Sequence, residues 1–210
     1  MVGQVLRFWE PHRKVREILD SGRIGRPRHL LRRRTGWQKE IRRDWYRKDT
    51  EGSMVLYSYA PHEVDIMLWW VRERPARVYA QGLKNNPYWN QDELSVVVTT
   101  EQGTILSLSQ SLNSRTHQWD QLVIGSEESL YVNGNEIRIG EKEALTVERK
   151  SGPAEEVREF VNAILEGRLP EAHGRDVRAT MEVLDAAERS MRANQAVELG
   201  LVSAARSAPE

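Results

Sequence analysis

The chain has 210 residues, no cysteine and a formal net charge of zero. This length suffices for one substantial domain with its own core, and the lack of cysteine excludes disulfides and thiolate metal sites. No window approaches the roughly 18 apolar residues of a membrane span, and the N-terminus does not resemble a signal peptide. We therefore expect a soluble, cytoplasmic protein with a single domain over residues 1–197 and a frayed tail over 198–210.

The charge is unevenly distributed, because residues 1–50 contain 15 Lys and Arg against 6 Asp and Glu. Such a basic region either binds phosphate groups or nucleic acid, or consists of strand and loop arginines that pair with the acidic remainder. No aromatic interleaving, recognition helix or glycine-rich loop accompanies the basic residues, which favours pairing over nucleic-acid binding. Much of this excess is carried by Arg32, Arg33, Arg34, Arg42, Arg43, Arg47 and Lys48.

The first 50 residues predict two strands around one helix. Residues 2–9 alternate weakly and contain β-branched and aromatic residues, which predicts a strand. A helix is expected from Pro11 to the Ser21-Gly22 stop, and residues 28–36 predict a strand with a charged face. Residues 37–50 are polar and aperiodic, so we expect a long loop that covers a site.

The segment from Gly52 to Trp70, GSMVLYSYAPHEVDIMLWW, is central to the function. Its apolar residues recur at helical spacing and predict one helix of about 17 residues. His62 has Ser58 four residues before it and Asp65 three residues after it, which places all three on roughly one side of that helix. An imidazole beside a carboxylate is a common acid–base arrangement, although a lone histidine at the edge of an apolar helix face is more often structural.

Period-two alternation follows and predicts a run of strands with short connections, hence mostly antiparallel pairs. In TILSLSQSL, Leu106, Leu108 and Leu112 share one face and Ser107, Ser109 and Ser111 the other. One sheet face is therefore expected to be covered, and the other to be solvated or packed on a second subunit. The predicted strands are 77–83, 94–100, 104–112, 121–125, 129–133, 136–139 and 145–148.

Two amphipathic helices are predicted after Gly152-Pro153. The first has an apolar stripe and ends near Gly167, and the second runs from about Arg175 to Ala193. The stripe of the first helix consists of Val157, Phe160, Val161, Ile164 and Leu165.

Common catalytic motifs are absent from the sequence. It contains no GxGxxG or GxxxxGK[ST] turn and no GxSxG elbow. The five histidines lack metal-ligand spacing, so no metal site is predicted; His62 and Asp65 alone make a weak ligand pair.

The order of these features resembles the C-terminal, substrate-side domain of the Gfo/Idh/MocA family, the glucose–fructose oxidoreductase and inositol dehydrogenase family of NAD(P)-dependent oxidoreductases. The resemblance covers nearly all of residues 2–197. It is carried by VLRFWEPHRKVREILDSGRIGRP, Trp45 followed by GSMVLYSYAPHEVDIMLWW, RPARVYA, the Gly103 hairpin, VIGSEESLYV and EFVNAILEGRLPEAHGRDVRATMEVLDAAERSM.

The resemblance implies an α+β fold: an open, mostly antiparallel sheet with helices packed on one face, of the type found in the dihydrodipicolinate-reductase-like C-terminal domain of glyceraldehyde-3-phosphate-dehydrogenase-like proteins. It also implies oligomerisation through the other face. His62 matches the family histidine that takes part in proton transfer at a sugar or polyol hydroxyl, and Asp65 matches the acidic residue three positions later. Trp45, Tyr46 and Tyr59 are then the expected substrate-binding residues.

Three departures from the family pattern affect the expected function. Ser58 stands where the family usually has an aspartate, only the first glycine of the helix lead-in is present, and no Rossmann-type nucleotide segment occurs. NAD or NADP is therefore expected to bind only through a separate Rossmann domain. The sequence leaves three interpretations: the substrate-binding half of such an oxidoreductase, a catalytically inactive stand-alone binding or assembly module, and a polyanion-binding protein.

Overall fold

The computed structural model describes residues 1–38, 55–85, 91–148 and 151–200. We number the helices and strands in chain order. The helices are α1 Glu10–Asp20, α2 Ala60–Val71, α3 Gly152–Leu165 and α4 Arg178–Ala193, and the strands are β1 Pro27–Trp37, β2 Pro75–Leu83, β3 Glu93–Thr100, β4 Ile105–Ser111, β5 Asn113–Gly125, β6 Ser129–Asn133, β7 Glu136–Ile139, β8 Glu143–Thr146 and β9 Val197–Glu198. In these ranges no helix is both long and apolar enough to cross a membrane.

The strands of the described residues form one sheet in the order β8-β7-β6-β5-β1-β4-β3-β2-β9. β1 and β4 are parallel, whereas the other neighbouring pairs are antiparallel. Strands joined by short turns can pair only in antiparallel fashion, while β1 reaches β4 through a long connection that contains α2. The predicted α+β class, with an open and mostly antiparallel sheet, is confirmed.

The two faces of the sheet differ as the Leu/Ser alternation predicts. Leu106, Leu108 and Leu112 are buried, and α2 and α4 contact strands of the sheet on this covered side. Ser107 and Ser109 lie on the other face, where Ser109 is exposed. Since side chains alternate between the faces of a strand, the pattern of β4 alone indicates which face is covered.

The strand predicted over residues 2–9 is wrong. Val5–Phe8 form a single 3₁₀ turn that runs into α1. A strand would direct Leu6 and Arg7 to opposite faces, whereas the structure buries Leu6, Arg7 and Phe8 together. The turn permits this because Arg7 has an ion-pair partner inside the protein.

The predicted central helix begins differently in the structure. Val55–Tyr59 form a π-helical turn, and the α-helix α2 follows from Ala60. Pro61 has no N–H and cannot donate to the carbonyl of Tyr57, so the regular α-helical bonding cannot pass through this point. Residues 52–54 of the prediction lie outside the described ranges.

Helix α3 exposes its apolar stripe. Ile164 and Leu165 are 63% and 78% exposed, and Val157, Phe160 and Val161 are also exposed. Within α3 only Gly152 and Ala163 are buried, because the helix contacts the N-terminal 3₁₀ turn through its small residues. The helix is present as predicted, but its large apolar side chains point away from the described core.

Candidate active site on helix α2

A buried ion cluster surrounds Glu63, in the first turn of α2. Arg32 and Arg34 both donate to its carboxylate, Arg34 Nη1 at 2.7 Å from Oε1. The side chains of Arg32 and Glu63 are fully buried, and Arg32 also donates to the side-chain oxygen of Gln121. Trp119 Nε1 lies 3.4 Å from Glu63 Oε2. Strand β1 therefore delivers two guanidinium groups to one carboxylate on α2.

Burial and charge act in opposite directions on this cluster. Burial raises the pKa of Glu63, but the adjacent Arg32 and Arg34 outweigh it and hold that pKa below its ordinary value. Burial also lowers the pKa of Arg32, and Glu63 opposes this. A buried charge is tolerated only when it is paired and hydrogen-bonded, so Glu63 is needed to keep Arg32 inside the protein.

His62 lies beside the cluster and is only partly exposed. Its Nδ1 atom is enclosed and has no hydrogen-bond partner in the described part of the chain. Burial lowers the pKa of His62; Arg34 lowers it further, whereas Glu63 and Asp65 raise it. The imidazole is consequently neutral near pH 7, the form that accepts a proton.

Asp65 and Ser58, the predicted companions of His62, have different surroundings: Asp65 is buried in an ion pair, and Ser58 is partly exposed. Both carboxylate oxygens of Asp65 accept hydrogen bonds from Arg7, each at 2.7 Å, and Thr180 Oγ1 lies 3.2 Å away. This fully buried pair ties the N-terminal turn and α4 to α2. Ser58 lies in the π-helical turn and is partly exposed.

Tyr59 is the one predicted substrate-binding residue within the described ranges, since Trp45 and Tyr46 lie outside them. Its hydroxyl donates to the side-chain oxygen of Gln38 at 2.7 Å. The Arg34 guanidinium carbon is 4.8 Å from the centre of its ring. Tyr59 and Arg34 line a cavity of about 190 Å³ where β1 and β4 end. Most of the predicted loop 37–50 also lies outside the described residues.

Three arginines of the basic N-terminal region pair with acidic residues later in the chain. Arg32 and Arg34 bind Glu63, and on the outer face Arg33 donates to Asp120 at 2.6 and 2.9 Å. The predicted pairing with later acidic residues is therefore confirmed for these three arginines. Among the described residues, no group of three His, Asp or Glu side chains could hold a metal ion.

Sequence reasoning missed Glu63, Arg32 and Arg34 as site residues, although β1 carries a signal for them. Leu30, Arg32 and Arg34 alternate along one strand, and Leu30 belongs to the core. Period two therefore places both arginines on the covered face, where each needs an acidic partner. Glu63 is the acidic residue in the first turn of α2.

The fold and site define an α+β domain with an open sheet, one helix-covered face and a buried ionic cluster beside a neutral histidine. A model of the GFO/IDH/MocA C-terminal domain family matches residues 12–136. Because this match spans more than half of the chain, the protein belongs to that family.

Solved structures share the fold at low sequence identity. An aldose-aldose oxidoreductase from Caulobacter crescentus complexed with glycerol has a TM-score of 0.84 at 17% identity, over 95% of this chain and 63% of that one. An oxidoreductase from Agrobacterium radiobacter in complex with NAD+, L-tartaric acid and magnesium has a TM-score of 0.82 at 16% identity, over 94% and 64%.

An oxidoreductase domain protein from Kribbella flavida has a TM-score of 0.79 at 20% identity, over 96% of this chain and 66% of that one. The chain thus spans less than two thirds of the length of the first solved structures that it matches. A search of curated proteins found no match.

Proposed function

We propose that this chain is the substrate-binding and oligomerising half of an NAD(P)-dependent oxidoreductase that acts on a sugar, a polyol or a related hydroxy compound. The observation that carries the proposal is the state of His62: an imidazole kept neutral by burial, with an enclosed Nδ1 that has no partner among the described residues. A neutral imidazole near pH 7 is suited to act as a general base. Glycerol and L-tartaric acid in the two solved complexes are hydroxy compounds, which supports the proposed substrate class.

In the proposed reaction His62 accepts the proton of a substrate hydroxyl as the carbinol carbon loses a hydride and becomes a carbonyl. When bound, the nicotinamide supplies the hydride acceptor. The sequence has no glycine-rich dinucleotide turn, so we assign the nucleotide to a separate Rossmann domain. Arg34 and Glu63 set the electrostatic environment of His62, while Tyr59 and Gln38 contribute a hydroxyl and an amide to the pocket wall. Trp45 and Tyr46 remain proposed pocket residues.

The exposed stripe of α3 is the proposed docking surface for that Rossmann domain. Five large apolar side chains on one helix face form a contiguous patch of the kind that marks an interaction site. About a third of each solved relative lies outside the matched region, which is enough chain for a dinucleotide-binding domain. We assign the open face of the sheet to a second copy of this chain.

The test measures turnover of this chain mixed with its dinucleotide-binding partner, by absorbance of reduced nicotinamide over a panel of polyols and hydroxy acids. Replacement of His62 by Gln should lower kcat by about 10²- to 10⁴-fold. Unchanged kcat in His62→Gln would rule out the proposed proton transfer.

A second measurement needs this chain alone. The pKa of His62, followed by NMR of its ring protons, should lie below 6.5. Ser58→Asp should raise it, because a carboxylate one helical turn away favours the imidazolium, whereas the neutral Ser58→Asn should leave it unchanged. An equal response to both variants would contradict an electrostatic link between the two positions.

A stand-alone binding or assembly module is the second candidate function. It is favoured by Ser58, which carries no charge to orient His62, and by Asp65, whose carboxylate is bound by Arg7 and Thr180. Under this alternative the mixture oxidises no hydroxy compound with either nucleotide, although the chain still associates through its exposed apolar surfaces.

A further inference from the structure

Gln110 is a buried amide without a hydrogen-bond partner in the part of the chain that the structure describes. It lies on the covered face of β4 between Leu108 and Leu112, and only 5% of its surface is exposed. Its side-chain oxygen and nitrogen are both enclosed, and neither has a partner in the described ranges. A glutamine amide offers two donor hydrogens and an acceptor oxygen, and leaving these buried and unpaired destabilises a folded protein. Such a group in a native fold needs a ligand or water.

Gln110 also lines the cavity at the ends of β1 and β4. The cavity measures about 190 Å³ and is shared with Arg34, Tyr59 and Gln38. At about 30 Å³ for each water, this is the room of roughly six water molecules. Gly36, another lining residue, allows the ring of His117 to approach closely, since a Cβ atom there would lie 2.9 Å from Cε1 of His117. The cavity therefore has space for a small molecule beside an unsatisfied amide.

The charges around the cavity favour a neutral, hydroxylated ligand. The guanidinium of Arg34 lies over the ring of Tyr59, but it is already bound to Glu63 at 2.7 Å. An anionic ligand would have to compete with that buried carboxylate. A hydroxyl group, by contrast, can both donate to the amide oxygen and accept from the amide nitrogen, so adjacent hydroxyls match the two ends of one glutamine amide.

We infer that Gln110 is a specificity-determining residue that binds two adjacent hydroxyl groups of a sugar or polyol in the cavity at the ends of β1 and β4. This rests on the proposed substrate class but needs neither nucleotide nor proton transfer. The amide oxygen accepts from one hydroxyl, and the amide nitrogen donates to its neighbour. Compounds with a single hydroxyl leave one end of the amide unpaired and bind less tightly.

The experiment uses the full chain and ligand-observed saturation-transfer NMR. The probes are myo-inositol and cyclohexane-1,2-diol, with cyclohexanol as the single-hydroxyl comparison. Wild type should transfer saturation to both diol-containing probes more strongly than to cyclohexanol. Gln110→Met, which keeps the length and shape of the side chain, should abolish this preference, whereas Gln118→Met, at an exposed glutamine of β5, should retain it.

Thermal unfolding gives an independent readout. Removal of a buried, unpaired amide should raise the midpoint of Gln110→Met by about 3 °C, so loss of binding would occur in a more stable protein. Gln118→Met should leave the midpoint unchanged. A lower midpoint in Gln110→Met would mean that the amide is satisfied in the folded chain and would overturn the inference.

Two binding results would also overturn it. If wild type shows no preference for adjacent hydroxyls, the amide binds water only. If Gln110→Met keeps the preference, another group recognises the diol. Neither result requires turnover or a nucleotide, whereas the proton-transfer proposal is tested only by turnover. Failure of the proton-transfer proposal is therefore distinguishable from failure of this one.

Discussion

Glu63 is a residue whose removal should destabilise the fold strongly. It neutralises Arg32 and Arg34 in a site where the Arg32 side chain has no exposed surface. Replacement of Glu63 by Gln leaves a buried guanidinium without its counter-charge, which destabilises a protein by about 3–5 kcal/mol. We expect that loss in the free energy of unfolding, measured by urea denaturation.

Glu182 provides the matched control for this prediction. Its pair with Arg178 on α4 is solvent-exposed, with 65% of the arginine side chain accessible, and exposed pairs contribute only about 0–1 kcal/mol. Glu182→Gln should therefore be close to neutral. A comparable loss in both variants would mean that burial does not set the contribution of Glu63.

At the residue scale, the sequence predicted which side chains carry reactive groups better than it predicted which side chains contact one another. Spacing along one helix identified His62 as the candidate base, and that assignment stays a prediction. The same spacing suggested Asp65 as its companion, but Arg7, 58 residues away in sequence, binds that carboxylate. Local periodicity contains no information on contacts between distant segments. The partners of Asp65 and Glu63 could therefore be identified only in the structure.

Among the elements, α3 gives the sharpest prediction. Ile164→Glu together with Leu165→Lys changes two side chains that are 63% and 78% exposed. The free energy of unfolding of this chain should change by less than about 0.5 kcal/mol, because neither side chain belongs to its core. Association with the proposed dinucleotide-binding partner should be lost in copurification.

A substitution of Ala163 is the comparison on the buried side of the same helix. It is 1% exposed, so Ala163→Glu would bury an unpaired carboxylate and should destabilise the chain itself. Retention of the partner by the Ile164/Leu165 double variant would exclude the stripe as the docking surface.

Periodicity predicted the types of most elements correctly. It failed for the short segment at residues 5–8 and for the start of the central helix, before Pro61. Residues 5–8 contain strand-forming residues, yet they bury consecutive side chains in a 3₁₀ turn. Pro61 is visible in the sequence, but the π-helical turn that precedes it depends on packing against the rest of the fold. The apolar period of α3 predicted a helix, but periodicity cannot indicate which molecule covers the stripe.

At the scale of the whole molecule, the open sheet face is the proposed contact with a second copy. Tyr79 and Val97 are cross-strand neighbours on β2 and β3, and both are 40% exposed. Ile105 and Ile124 flank His29 across β4, β1 and β5. These exposed apolar residues provide contacts on which a second sheet can pack.

Charge on this face should prevent self-association. We expect wild type to be a dimer or larger by size exclusion with light scattering, and Val97→Lys with Ile105→Lys to be monomeric. Met181→Lys, at a half-exposed position of α4, should keep the oligomer. A monomeric wild type at micromolar concentration would contradict the assignment of the sheet face.

The sheet could be predicted in its strands but not in its strand order. Alternation and turn residues located most strands, and short connections implied their antiparallel neighbours. β1 pairs with β4 and β5, which lie far from it in the chain. No local sequence pattern therefore predicts its position in the sheet. The family resemblance implied an open, mostly antiparallel sheet with helices on one face, but it did not give the strand order.

The position of β1 between β4 and β5 has a consequence for the order of folding. β1 pairs with strands that begin at Ile105 and Asn113, so its hydrogen bonds close loops of many tens of residues. Such distant closures slow folding. Arg32 and Arg34 reach Glu63 only when β1 takes its place beside β4, and until then the arginines remain hydrated. We therefore expect the environment of His62 to be assembled together with the centre of the sheet, after β5 has been synthesised.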